Sequence, residues 1–291
     1  MNKNTAGDAM RVLKRKRLIV FILVLCFIVL YIWHYVSTLQ EFYMVPYEKV
    51  DISELIRKEN ISEEDFREVF RQTGVSPASA KELIINKEFH ILDHLNDLYF
   101  EKPDIEKEYI VYPLTAQERN SRQITPLVNL KKGDILLTFN TQTLNWRHGH
   151  CGIVLEGEEG IVLEHMSVGQ TSCRTLAEDW RAYPGFIVLR YPDEKISAKA
   201  AEYAEERLLD IRYSIFAGLM KKDKSDEDVP SYSHCSHIVW QAYKAAGVDI
   251  DANGGSIVTP KNLAMSDKLE VVQIYGINPT KYEDRVSKIK K

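Results

Sequence analysis

Cysteine is scarce in this sequence, with four residues in 291, and that scarcity excludes the disulfide-dense scaffold on which small exported domains rely. Cys26 lies in an uncharged run. Cys151, Cys173 and Cys235 remain, an odd number, so at least one thiol outside the run is free or pairs with another molecule. No cysteine or histidine pair has zinc-finger spacing, and there is no internal repeat or low-complexity tract. A long basic stripe is also missing. Residues 1–17 hold six of the 38 basic residues and one of the 42 acidic ones, so the rest of the chain is acidic and repels nucleic acid, which is set aside as a partner. With 45% apolar and 27% charged residues the chain is in the ordinary globular range, and one main domain with a smaller appendage is the natural division.

What is present begins with Leu18 to Val36, about 19 residues without a formal charge, long enough at 1.5 Å rise to reach roughly 28 Å. The segment has no polar face, as a core helix would need. Tyr31, Trp33 and Tyr35 cluster at its C-terminal end and Lys14 to Arg17 abut its N-terminal end, which is the pattern of an interfacial aromatic belt and a cytoplasmic basic flank. A cleaved signal peptide is the competing reading, but no convincing small-x-small site follows. The expected organisation is a cytoplasmic basic tail (1–17), a transmembrane signal anchor (18–36), a helical stalk or subdomain (37–112), a main domain (113–280) and a basic C-terminal tail (281–291). Everything after the anchor is expected outside a bacterial-type membrane.

From Val50 to about Lys107 the pattern is helical. Ser62 with Glu64 and Asp65 marks one start, Gly74 its stop, and Pro77 lies in the first turn of the next helix. His90 and His94, four apart, form a candidate metal pair without a further ligand nearby in sequence. After Pro113 short apolar runs take over: "KKGDILLTF", "GHCGIVLE" and "GIVLEHM" joined by the turn "EGEEG", then "FIVLRY" and "EVVQIY". Helices are expected from Ser197 to Asp210 and from about Ser233 to Ala246, giving an α+β domain with helices packed on a small antiparallel sheet. The charged segment "MKKDKSDEDVPSYS" reads as a loop able to cover a site.

Cys235 opens the second of these helices, with Ser233 as candidate cap and Gly247 as stop, while Cys235, Val239, Ala242 and Ala246 share a face. A thiol in a helix's first turn meets the positive end of the dipole and unpaired N–H groups, which favour the thiolate and can hold an oxyanion. The bland reading is a small buried side chain. For a base, His150 shares a strand face with Gly152 and Val154, which aims its imidazole toward that helix and leaves space beside it. Folding back at "EGEEG" brings either Glu164 or His165 opposite His150, depending on loop parity, and either can orient the imidazole.

The ordered set "GDILL", "HGHCGIVLE", "IVLEHM", "HCSHIVWQAYKAAGVDID" and "VTPKNLA" resembles the permuted NlpC-type papain-like cysteine hydrolases, specifically the YiiX-like group, over roughly Leu130 to Tyr275. The histidine strand precedes the cysteine helix, the reverse of the ordinary papain-like order. The resemblance implies a circularly permuted papain-like fold with Cys235 as nucleophile, His150 as base and Glu164 as orienter (His165 the alternative), and Tyr213 lining the pocket. Ser236 is carried beside the nucleophile as a substrate-binding candidate. His234 and His237 depart from the pattern. The implied activity is cleavage of an amide in a wall peptide or related substrate through a thioester, without a cofactor or metal. The alternatives are acyl transfer on lipid esters, as in relatives of lecithin retinol acyltransferase, a non-catalytic wall-binding module, and a zinc site among His148, His150, Cys151, His165, Cys173, His234, Cys235 and His237.

Overall fold

The computed structural model describes residues 3–37, 42–122, 124–217, 229–255 and 257–287. The first helix, α1 (Lys3–Ser37), contains an apolar stretch, Leu13–Trp33, of 21 residues with none of its side chains buried, long and apolar enough to cross a membrane. That length and composition also fit a signal sequence. The helix continues through the basic flank, so the boundary at Leu18 is one of polarity and not of backbone.

Three short helices follow. In α2 (Glu63–Thr73) Ser62 and Asp65 form a reciprocal capping box, and Gly74 ends the helix at φ 71°, as its sequence signals require. Ser76 caps α3 (Pro77–Ile85), and α4 (Phe89–Leu98) completes the group. Their apolar faces enclose Ile52, Ile56, Val69, Leu83, Leu92 and Leu95. The segment is thus a packed helical group with an apolar cluster of its own. Its backbone joins the main sheet where Val75 bridges Gln273 and Ser76 N–H donates to Val272 O at 2.9 Å.

The helical pattern ends sooner than expected. β1 (Ile105–Val111) pairs antiparallel with β2 (Thr115–Asn120), so the boundary drawn at Pro113 falls inside a hairpin. The run "IEKEYIV" mixes charged and apolar residues without clean alternation, and its partner strand supplies the order.

Next come β3 (Ile135–Thr138), β4 (Thr141–Thr143), β5 (Trp146–Arg147), β6 (His150–Glu156), β7 (Ile161–Glu164), β8 (Cys173–Leu176) and β9 (Phe186–Arg190). After them lie α5 (Glu194–Arg207), β10 (Arg212–Tyr213), β11 (Tyr232–Ser233), α6 (Cys235–Ala245), α7 (Pro260–Ala264) and β12 (Glu270–Tyr275). The main sheet is antiparallel throughout, in the order β12-β9-β3-β6-β7-β8; a second sheet runs β1-β2-β4-β5, and β10-β11 form a parallel pair. The protein is a mixed α+β structure built on small, mostly antiparallel sheets.

Both faces of the main sheet are covered. On one, Cys151, Ile153 and Leu155 pack with Ala200 and Ala204 of α5 and Val239 and Ala242 of α6. On the other, Val154, Val162 and Phe186 pack with Trp180 and Tyr275. α5 starts three residues earlier than expected, because Asp193 accepts from Lys195 N and Ile196 N and caps it there. At the C-terminus, residues 281–287 are not a free tail: Tyr282 enters the first core and Ser287 N–H donates to Val271 O at 2.9 Å. Residues 288–291 and 218–228, the latter including most of the charged loop, lie outside the described residues.

Candidate active site

α6 begins at Cys235. Its cap is His234, whose Nδ1 accepts from His237 N at 3.4 Å, and not Ser233; the Ser233 hydroxyl instead meets His237 Nδ1 at 2.9 Å. The expected shared face holds, with Cys235, Val239 and Ala242 all in the first core. Gly247 follows the last turn at φ 94°. Cys235 therefore occupies the first helical position, where the N–H groups of Cys235 and Ser236 have no acceptor within the helix.

His150 is the first residue of β6, and Gly149 before it has φ 78°. A Cβ on Gly149 would lie 2.8 Å from Thr138 O, so glycine is required where the chain turns into the strand. The expectation that the His150, Gly152 and Val154 face points at α6 is reversed. α6 covers the Cys151, Ile153 and Leu155 face, whereas Val154 belongs to the opposite core and His150 stacks on Trp180 with ring centroids 5.3 Å apart. Imidazole and sulfur are nevertheless neighbours, His150 as the first residue of β6 and Cys235 as the first of α6. Cys235 and His150, 85 positions apart in the chain, are close enough that each shifts the other's titration.

Glu164 provides the third group. Its Oε2 is 2.7 Å from His150 Nε2, with both side chains buried. Nδ1 is then the nitrogen that faces the sulfur. Neither Glu164 nor His165 pairs directly with His150: an irregularity between Val154 and Glu156 sets Gly152 opposite Glu164, which reaches His150 diagonally on the same face. Gly152 makes that reach available, since a Cβ there would come within 2.6 Å of Val162 Cγ1 and 3.3 Å of Glu164 Cβ.

His165 turns elsewhere. Its Nε2 is 3.4 Å from Gln170 O, its Nδ1 is buried with no partner, and its ring meets Tyr213 edge-on at 4.9 Å. For Tyr213, half-buried on β10, burial and then the charge of the nearby Cys235 sulfur push the phenol pKa up. Ser236 is not presented to a pocket; its buried hydroxyl donates to Val258 O at 2.9 Å and lies 3.3 Å from His234 Nδ1, so it locks the helix start to the loop before α7.

The electrostatics favour charge separation. The Cys151 thiol is the largest influence on Cys235: its hydrogen bond, with those of His150 and His234 and the His150 charge, outweighs burial and holds the Cys235 thiol well below its ordinary range. Burial alone would drive His150 down, but the hydrogen bonds that its ring donates toward Cys235 and Glu164 hold its pKa up at about 10. Cys151, fully buried, is pushed well above the ordinary thiol value by burial and by the neighbouring sulfur, so it stays protonated as a donor. These influences favour a thiolate–imidazolium pair, with Glu164 behind the imidazole and Trp180 stacked on it. Cys235 is 8% exposed.

One residue beside the site escapes a reading of the sequence, and two others enter it only as zinc candidates. Trp180 comes from the short turn Ala177–Ala182, far from any motif; Cys151 looks like an ordinary strand residue; and His148, an exposed side chain, has both nitrogens engaged, with Nε2 3.0 Å from Thr143 Oγ1 and Nδ1 2.8 Å from Gly149 O. All cysteines in the described residues are free, and among those residues no group of three or more His, Cys, Asp or Glu side chains is placed to hold a metal ion. His90 and His94 line a separate cleft with Arg181, Glu158 and Glu159. Comparisons with protein-family models, with characterised proteins and with solved structures find no match for the chain.

Proposed function

We propose that the chain is a membrane-anchored cysteine hydrolase that cleaves an amide, in a wall peptide or related substrate, by acyl transfer to Cys235. The observation that carries this reading is the connected set Cys235, His150 and Glu164, with His150 Nε2 2.7 Å from the carboxylate. The His-before-Cys order on an antiparallel sheet supports a circularly permuted papain-like domain of the YiiX-like group. Basic residues ahead of α1 support a cytoplasmic N-terminus and an extracytoplasmic main domain.

In this mechanism the Cys235 thiolate attacks the carbonyl carbon, and first-turn N–H groups bind the developing oxyanion. His150 then gives its proton to the departing amine, leaving a thioester. With Glu164 holding the ring, His150 next takes a proton from water, which attacks the thioester and releases the acid and the thiol. The full-length protein and its Cys235→Ala variant, incubated with wall-peptide fragments, test the reading: Cys235-dependent release of an amine with a trapped acyl-protein is expected. Absence of any Cys235-dependent turnover overturns it.

A second reading has its own observation. Val168, Ile215, Phe216 and Tyr232 are exposed apolar residues flanking Tyr213, an apolar rim suited to an acyl chain. Lipid esters assayed beside wall fragments separate the two.

A further inference from the structure

The second sheet ends in two tips that carry apolar side chains into open space. In the β1–β2 hairpin these are Tyr109, Tyr112 and Leu114, with Tyr112 80% exposed; in the β4–β5 hairpin it is Leu144, 63% exposed. The tips adjoin, because Leu144 N–H donates to Leu114 O at 2.8 Å, and the Tyr109 and Tyr112 rings pack edge-on at 5.1 Å.

Leu144 is costly in two ways. With Asn145 it forms a two-residue turn at φ 51° and 63°, a backbone suited to Asn-Gly or Asp-Gly, where a leucine is strained. It also leaves a large apolar side chain in water. An asparagine would remove both costs, so the leucine needs a compensating environment.

α1 supplies its position. The Tyr31 hydroxyl donates to Leu144 O at 2.7 Å, and the Tyr31 ring meets Trp146 edge-on at 6.0 Å. Tyr31 lies two residues before the end of the apolar stretch Leu13–Trp33, the level at which a spanning helix leaves the hydrocarbon. A hairpin in contact with that level is at the bilayer surface, continuous with the anchor.

Resting on the membrane-anchored reading, we infer that the Tyr109, Tyr112, Leu114 and Leu144 tips dock into the lipid interface beside α1 and hold the candidate active site at headgroup height. The chain sets the scale: Trp146 and His150 are four positions apart, so their Cα atoms are no more than about 14 Å from each other. Arg147, between them, is pinned by a two-pronged ion pair to buried Glu118, which also accepts from Asn140 Nδ2 and Gln142 Nε2 at 2.8 and 2.9 Å. The hairpin therefore does not swing independently of the site. A substrate attached to the membrane is within its reach.

The test uses the full chain in phosphatidylethanolamine–phosphatidylglycerol vesicles doped with a diazirine-bearing phosphatidylcholine, with cross-links mapped by mass spectrometry. Ile85, exposed and apolar but on α3, is the internal control. Expected is labelling of α1 and of peptides 109–114 and 143–147 about tenfold above the Ile85 peptide, with tip labelling falling to the control level in a Tyr112→Ser, Leu144→Asn double variant that still reacts at Cys235. Labelled α1 with tips at the Ile85 level overturns the docking and leaves the anchor standing. If neither α1 nor the tips exceed the control, the anchor reading fails and takes the docking with it.

Discussion

His150 Nε2 and Glu164 Oε2 are 2.7 Å apart although the two residues are not partners in the strand register; Glu164 faces Gly152 and crosses the space its missing side chain leaves. The nitrogen left over meets Cys235. Reactivity at the sulfur therefore depends on a strand pairing as much as on the helix that bears it.

The first expected outcome concerns pH. Cys235 is held well below the ordinary thiol range and His150 up at about 10, so the reactive ion pair exists from the depressed Cys235 value up to about pH 10. Limited iodoacetamide treatment should label Cys235 well below pH 8 and ahead of Cys151 and Cys173. His150→Ala should move that labelling upward toward ordinary thiol behaviour.

Glu164→Gln removes a group that raises His150. The His150 pKa falls from about 10 toward its usual 6.5, so the alkaline limb of the rate profile moves to lower pH. Turnover should drop by about 10- to 1000-fold, and a pH–rate profile of kcat distinguishes this loss from simple unfolding.

Cys151→Ala takes away the thiol that donates to the Cys235 sulfur. The midpoint for Cys235 alkylation should rise while Tm stays within a few degrees, since the substitution leaves only a small gap. An unchanged midpoint would show that Cys151 merely fills space.

Gly152→Ala puts a methyl group 2.6 Å from Val162 Cγ1 and against Glu164. Overpacking of this kind costs about 1–3 kcal/mol, read as a lowered denaturation midpoint, and displacement of the carboxylate should lower kcat beyond what the lost stability explains.

Glu118→Ala removes the carboxylate that pairs bidentately with the largely buried Arg147 guanidinium. Removing one member of such a pair costs about 3–5 kcal/mol. Thermal unfolding should show the loss, and it should exceed that of breaking the exposed Arg67–Glu64 pair, which is worth under about 1 kcal/mol.

Local patterns in the chain already determined the apolar helix, the capped start of α2 at Ser62, the β6–β7 hairpin around "EGEEG", and the placing of Cys235 in a helix's first turn, because each depends on spacing and turn chemistry within a few residues. Only the tertiary structure decided that Glu164 and not His165 holds His150, that α6 lies over the Cys151 face, that Trp180 covers the imidazole, and that α1 meets the β4–β5 turn. Strand register, the hand of a sheet's coverage and contacts from distant turns are settled by packing across many positions. A one-residue slip in register inverts which side chains meet, and no short stretch of sequence carries that information.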